Sequence, residues 1–210
     1  MAKKIALKKQ AKKLPKKAVK KSSVKATVKK VLAKKTAAKK VIVKKAAKNE
    51  TPKAKFVNHS TKLKAGNKAP YFEGKDQNGN LVSLFSLKGK TIILYFYPKD
   101  DTPGCTATAC SLRDEYQFLN KQNYAVVGVS ADDEKSHTKF AKKYDLPFPL
   151  LSDENLKIMR AYDVWGLKQF MGKIYDGIIR TTFIIDESGI IKNIIKSVDT
   201  ANHAQQILSE

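Results

Sequence analysis

The whole net charge of this chain sits in its first 64 residues, which decides where a core can form. That stretch holds 24 of the 42 Lys and Arg residues, every one a Lys, against the single acid Glu50. It therefore carries the entire formal net charge of +23, while residues 65–210 hold 18 basic and 18 acidic residues and are neutral. Lys pairs recur every few residues: Lys8-Lys9, Lys12-Lys13, Lys16-Lys17, Lys20-Lys21, Lys29-Lys30, Lys34-Lys35, Lys39-Lys40 and Lys44-Lys45. Phe56 is the first aromatic residue. One-sided charge without bulky apolar anchors leaves nothing to offset the entropy of ordering. The composition predicts a tail that is disordered when free. Counter-anions would let Ala- and Lys-rich parts become helical, with Pro15 as an interruption. Residues 56–67 read as a linker. The expected organisation is a basic tail and linker over residues 1–64 and one folded domain over residues 65–210.

In the neutral part, short apolar runs alternate with amphipathic stretches. Asn78-Gly79 signals a tight hairpin. Thr91–Tyr97 and Tyr124–Ser130 are apolar, β-rich runs suited to buried strands. Helical patterns follow Gly104 to about Asn120 and span Glu134–Tyr144, Glu154–Tyr162 and Ala201–Leu208. Phe148–Leu151 reads as a short strand. Ile178–Ile185 and Ile190–Ile195 read as strands joined by a hairpin. The pattern predicts an α/β domain with a mixed sheet flanked by helices.

The segment with chemical content is Pro98-Lys-Asp-Asp-Thr102-Pro-Gly104-Cys105-Thr-Ala-Thr-Ala-Cys110. It follows a buried strand and opens a helix, at the kind of sheet edge where ligands bind. Pro103 and Gly104 shape the turn. Cys105 falls in the first helical turn, where unpaired N–H groups and the positive end of the dipole favour a thiolate. The Thr102 hydroxyl is placed to bond that thiolate or a peroxide oxygen. A cation would serve both the nucleophile and the departing oxygen. The chain offers only Arg113, Arg160 and Arg180 as guanidinium donors. Cys105 and Cys110 are the only cysteines, too few for a disulfide-stapled scaffold and better suited to redox work.

Pro98-x-x-x-Thr102-x-x-Cys105 resembles the active-site signature of the peroxiredoxins. The longer run through Cys110 and Leu112-Arg113-Asp114 is similar to their Q-type, or bacterioferritin comigratory protein, subfamily. Leu151-Ser-Asp-Glu154, Val164-Trp165-Gly166, Phe170-Met171-Gly172-Lys173 and Gly177–Asp186 extend the likeness across the neutral domain. The resemblance implies a thioredoxin-like fold, Cys105 as peroxidatic and Cys110 as resolving cysteine. It also implies Thr102 as hydroxyl contact, Pro98 and Gly104 in the substrate pocket, and Arg180 facing the thiolate. A hydroperoxide substrate and thioredoxin or a similar dithiol as reductant come with it, as does a monomeric state. No cofactor and no metal are expected: His59, His137 and His203 show no ligand spacing. Five helical residues separate Cα atoms by about 8–9 Å, more than the roughly 7 Å a disulfide allows. The helix start is therefore predicted to unwind during each turnover.

The bland reading of the tail is a solubilising extension. The sharper one is a nucleic-acid tether through Lys16, Lys17, Lys20, Lys21, Lys29, Lys30, Lys34, Lys35, Lys39, Lys40, Lys44 and Lys45, phosphate-directed and salt-sensitive. The tail resembles those of linker histones and bacterial histone-like proteins. The expected setting is cytoplasmic and nucleoid-associated, or nuclear in a eukaryote. No run of 18 apolar residues suggests a membrane span. Two other readings stay open: a histone-like binding protein with a vestigial domain, and a thiol redox sensor.

Overall fold

The computed structural model describes residues 56–210. The Lys-rich stretch, with the twelve lysines named above as nucleic-acid contacts, lies outside the described residues. Residues 58–63, expected as linker, lie against the domain. Thr61 is buried and its hydroxyl donates to the Tyr162 carbonyl at 2.8 Å. His59 Nε2 pairs with Asp163 Oδ1 at 2.9 Å.

Strands β1 (Glu73–Lys75) and β2 (Leu81–Ser83) pair antiparallel around the expected turn. Asp76 Oδ1 accepts from the Asn78 and Asn80 amides at 2.8 and 2.9 Å, and Gly79 takes φ +81°, the left-handed conformation that glycine supplies without strain. The chain then alternates through β3 (Thr91–Phe96), α1 (Pro103–Asp114), α2 (Tyr116–Lys121), β4 (Tyr124–Ser130), α3 (Glu134–Tyr144), β5 (Leu150–Ser152) and α4 (Lys157–Ala161). A hairpin of β6 (Trp165–Phe170) and β7 (Lys173–Ile178) follows, then β8 (Thr181–Ile185), β9 (Ile191–Ile195) and α5 (His203–Leu208).

The main sheet has the order β5-β4-β3-β8-β9. β3 runs parallel to β4 and antiparallel to β8, so the sheet is mixed. Successive side chains of β3 serve opposite faces, as the period of a strand requires. Ile93, Tyr95 and Tyr97 pack with Leu112, Phe140 and Ile207 from α1, α3 and α5. Ile92, Leu94 and Phe96 pack with Phe72, Met159 and Tyr162 on the other side. A strand buried on both faces reads as an unbroken apolar run, which is why Thr91–Tyr97 was legible.

Three expectations are corrected. The helix expected to reach Asn120 is two, because Glu115 takes φ −95° and ψ 4° between α1 and α2. The single strand expected over Ile178–Ile185 is broken at Ile179 and Arg180, leaving Arg180 in a connection rather than in a ladder. The β6–β7 hairpin falls where no strand was expected. Its turn is Met171-Gly172, both at positive φ, and it exposes Leu167, Phe170, Met171, Ile174 and Tyr175.

Candidate active site

The site is assembled by one rung of the central sheet. Phe96, the last residue of β3, is the partner of Thr181, the first of β8. The segment leading to Cys105 and the residue just before Thr181 therefore emerge side by side. Thr102 caps α1 with an extended backbone, φ −96° and ψ 149°, and Pro103 occupies the first turn, where its missing N–H costs nothing. The first helical bond runs from the Thr106 amide to the Thr102 carbonyl at 2.8 Å. Cys105 then points into the apolar layer between the sheet and the helices, with 1% of its surface exposed.

Arg180 reaches this thiol. Its Nη2 lies 3.2 Å from Cys105 Sγ, while Nη1 donates to the Gly104 carbonyl at 3.4 Å and to Thr108 Oγ1 at 3.3 Å. A Cβ on Gly104 would stand 3.3 Å from Arg180 Nη2, so the absent side chain leaves room for the guanidinium. Thr108 is buried and its hydroxyl donates to the Gly104 carbonyl at 2.9 Å. That hydroxyl fixes one edge of the Arg180 fork.

The other sequence-predicted residues sit as follows. The Thr102 hydroxyl donates to the Lys99 carbonyl at 3.0 Å, closing the turn ahead of α1. Its proton is thus committed to the loop, and its lone pairs are left free to accept. Pro98 is half-buried two residues past the end of β3. Cys110 is half-buried on the same helix as Cys105, and both thiols are free. Beside it the Ser111 hydroxyl accepts from the Ala204 amide at 3.1 Å, tying α1 to α5.

Sequence reasoning passed over Thr108 and Lys168. Thr108 follows Cys105 by three residues, a spacing that puts both on one face of a helix. Lys168 lies on the unexpected hairpin, where its Nζ donates to the Ile178 carbonyl at 2.9 Å and stands 5.4 Å from the centre of the Tyr175 ring. Burial holds its ammonium below the usual lysine range; the charge of Arg180 adds to this and Cys105 opposes it. A second cation therefore lies within electrostatic reach of the Cys105–Arg180 pair.

The AhpC/TSA family model matches residues 65–194 of the chain, beginning after the Lys-rich stretch. The chain is 46% identical over 146 residues to the putative peroxiredoxin bcp of Coxiella burnetii, covering 70% of this chain and 97% of the relative. It is 45% identical over 147 residues to peroxiredoxin Bcp of Escherichia coli, covering 70% and 94%. Among solved structures, Xanthomonas campestris bacterioferritin comigratory protein, studied for its alkyl peroxide reduction activity, superposes with a TM-score of 0.64 at 32% identity, covering 71% of this chain and 96% of that one. The mixed sheet with its flanking helices is thus a thioredoxin-like peroxiredoxin fold.

Proposed function

The chain belongs to the AhpC/TSA family as a peroxiredoxin of the Bcp type, and from that premise we propose a two-cysteine peroxidase cycle run by Cys105 and Cys110. The Cys105 thiolate attacks one oxygen of a hydroperoxide. An S–O bond forms, the O–O bond breaks, and the departing oxygen leaves as water or an alcohol after taking a proton. Arg180 faces the reacting sulfur, and its positive charge stabilises the negative charge as it passes from sulfur to the departing oxygen. Thr108 and Gly104 hold the guanidinium in place, and Thr102 offers a lone pair to the peroxide proton. The thiol of Cys110 then attacks the sulfenic sulfur; the S–S bond forms and water leaves. Thioredoxin or a similar dithiol returns both cysteines to thiols and becomes a disulfide itself. Organic hydroperoxides are included among the substrates, in keeping with the alkyl peroxide reduction for which the Xanthomonas campestris relative was studied.

The observation that carries this reading is the 3.2 Å approach of Arg180 Nη2 to a buried Cys105 Sγ, with a second free thiol five residues on. An intact helix keeps these Cα atoms about 8–9 Å apart, so α1 opens when the disulfide forms. Peroxide consumption coupled to thioredoxin, thioredoxin reductase and NADPH tests the cycle. Cys105→Ser abolishes turnover. Cys110→Ser consumes one equivalent of peroxide, accumulates a dimedone-reactive sulfenic acid and does not recycle through an intramolecular disulfide. Absence of turnover in the wild-type protein with every dithiol reductant tried refutes the enzyme reading and leaves the redox sensor or the binding protein.

Residues 1–64 act in the same proposal as a tether to nucleic acid, beside a monomeric catalytic domain over residues 65–210, in a cytoplasmic, nucleoid-associated setting. The composition supports it: 24 lysines against one acid, with no aromatic residue before Phe56. Binding to duplex DNA, measured by gel shift, is then independent of sequence and weakens steeply between about 50 and 200 mM salt. Replacing the twelve paired lysines named above by Gln abolishes the shift. Equal binding by that variant removes the tether from the reading.

A further inference from the structure

Two adjacent carboxylates fasten the loop ahead of Cys105 to opposite ends of α3. Asp100 is buried. It accepts from the Tyr97 hydroxyl at 2.8 Å through Oδ1, and from the Ser136 hydroxyl at 2.7 Å and His137 Nδ1 at 2.8 Å through Oδ2. Its amide donates to Asp132 Oδ2 at 2.9 Å. His137 is fully buried and its Nε2 has no partner, so any movement of this anchor would disturb a packed core.

Asp101 is built differently. Its carboxylate accepts from Lys143 Nζ at 2.9 and 2.7 Å and from the Tyr144 hydroxyl at 2.6 Å, in the last turn of α3. The side chains of Asp101 and Lys143 are 48% and 57% exposed, so water can replace these bonds. Asp101 also takes φ +53°, a left-handed conformation that Asp adopts more readily than most non-glycine residues.

Tyr144 serves both flanks of the reactive helix. Its hydroxyl holds Asp101 before Cys105, and its carbonyl accepts from Arg113 Nη1 at 2.8 Å beyond Cys110. The ends of the Cys105–Cys110 segment are thus tied to one residue. To bring the two sulfurs together, the segment has to give at a tie that opens without unburying a polar group. Asp100 does not meet that condition, and Asp101 does.

We propose that Asp101 is a positioning residue, an exposed latch to Lys143 and Tyr144 whose release sets how fast α1 opens for the Cys105–Cys110 bond. The proposal rests on the two-cysteine reading above. Asp100 stays seated throughout and keeps the loop from detaching. Thr102 and Gly104 lie between latch and nucleophile and take up the change.

Rapid mixing of the reduced full-length protein with peroxide separates the two steps. Acid quenching at successive times with mass analysis follows both, through the amounts of sulfenic acid and of disulfide. Asp101→Asn removes the charge while keeping a residue that tolerates the left-handed backbone. Tyr144→Phe removes one donor and leaves the Arg113 contact to the carbonyl. Each is expected to speed disulfide formation by about two- to fivefold, the range an exposed ion pair spans, and to change the peroxide step by less than about twofold. Asp101→Glu, which can still reach Lys143, restores a rate near wild type. A disulfide step that is unchanged or slower in both variants overturns the latch. A wild-type protein that forms sulfenic acid but no intramolecular disulfide overturns the two-cysteine reading beneath it.

Discussion

Replacing Arg180 by Gln removes the charge facing Cys105 and leaves a shorter, neutral polar side chain. At the observed 3.2 Å between Nη2 and Sγ, unit charges in an effective dielectric of about 20 attract by about 5 kcal/mol. That is a ceiling. The guanidinium spreads its charge over three nitrogens, Arg180 is half-buried, and two of its bonds go to Gly104 and Thr108. A hydrogen bond to a charged group nets about 1.5–3 kcal/mol, and the upper half of that range fits a sulfur as buried as this one. The expected loss is about 45- to 160-fold in the second-order rate constant for peroxide. The assay is stopped-flow fluorescence in a Cys110→Ser background, which confines the signal to sulfenic acid formation. Arg180→Lys recovers only part of the rate, because one ammonium cannot bridge the Gly104 carbonyl, Thr108 and the sulfur together. A rate for Arg180→Gln within about threefold of its parent would refute the reasoning, since no interaction of the size derived could then act in the transition state.

Three further outcomes are expected. Thr108→Val removes the hydroxyl that steadies Arg180 and slows the peroxide step by about three- to tenfold, the value of one hydrogen bond; Thr108→Ser restores it in the same stopped-flow assay. Gly128→Ala would place a Cβ 2.7 Å from Tyr95 Oη and 2.8 Å from Leu150 Cδ2. This overpacking costs about 1–3 kcal/mol and appears in calorimetry as a melting midpoint lower by roughly 2–10 °C. Burial pushes His203 below the usual histidine range, and the charge of Arg180 adds to that, against the hydrogen bond that Gln206 Oε1 accepts from His203 Nδ1. As pH falls through the unfolded value of about 6.5, the unfolded chain takes up the proton first, so stability drops until the folded histidine also titrates. Melting midpoints fall between about pH 7.5 and 5 in the wild type and fall less in His203→Gln.

The chemistry-bearing segment was legible because it combines signals of different kinds: an apolar run, a Pro-Gly turn and a thiol at a helix start. The β6–β7 hairpin was not. Its apolar residues face outward, so neither helical nor strand periodicity marks a buried face there. The break at Ile179–Arg180 was hidden by the opposite circumstance: apolar residues run through Ile178–Ile185 whether or not the ladder is continuous. Arg180 was assigned through its Gly-x-x-Arg context, but only the fold explains why it is free of the ladder and able to turn toward Cys105. Thr108 had a signal in its spacing from Cys105. Lys168 had none, since its place depends on a hairpin invisible in the pattern. The Asp100–His137 pair was equally hidden, because burial of a His and an Asp 37 positions apart depends on how α3 packs over the loop.

The rung that joins Phe96 to Thr181 makes the reactive centre a property of backbone registration and not of its neighbourhood in the chain. Whatever is spliced into the exposed Met171-Gly172 turn, the two halves arrive at the same spacing, so that turn is a natural place for grafting. Removing one residue from the middle of β8 does the reverse. With the far end of the strand held in its ladder, the residues before the deletion slide by about 3.4 Å, their core side chains go to the wrong face, and Arg180 is drawn away from the sulfur without altering a single atom of either residue.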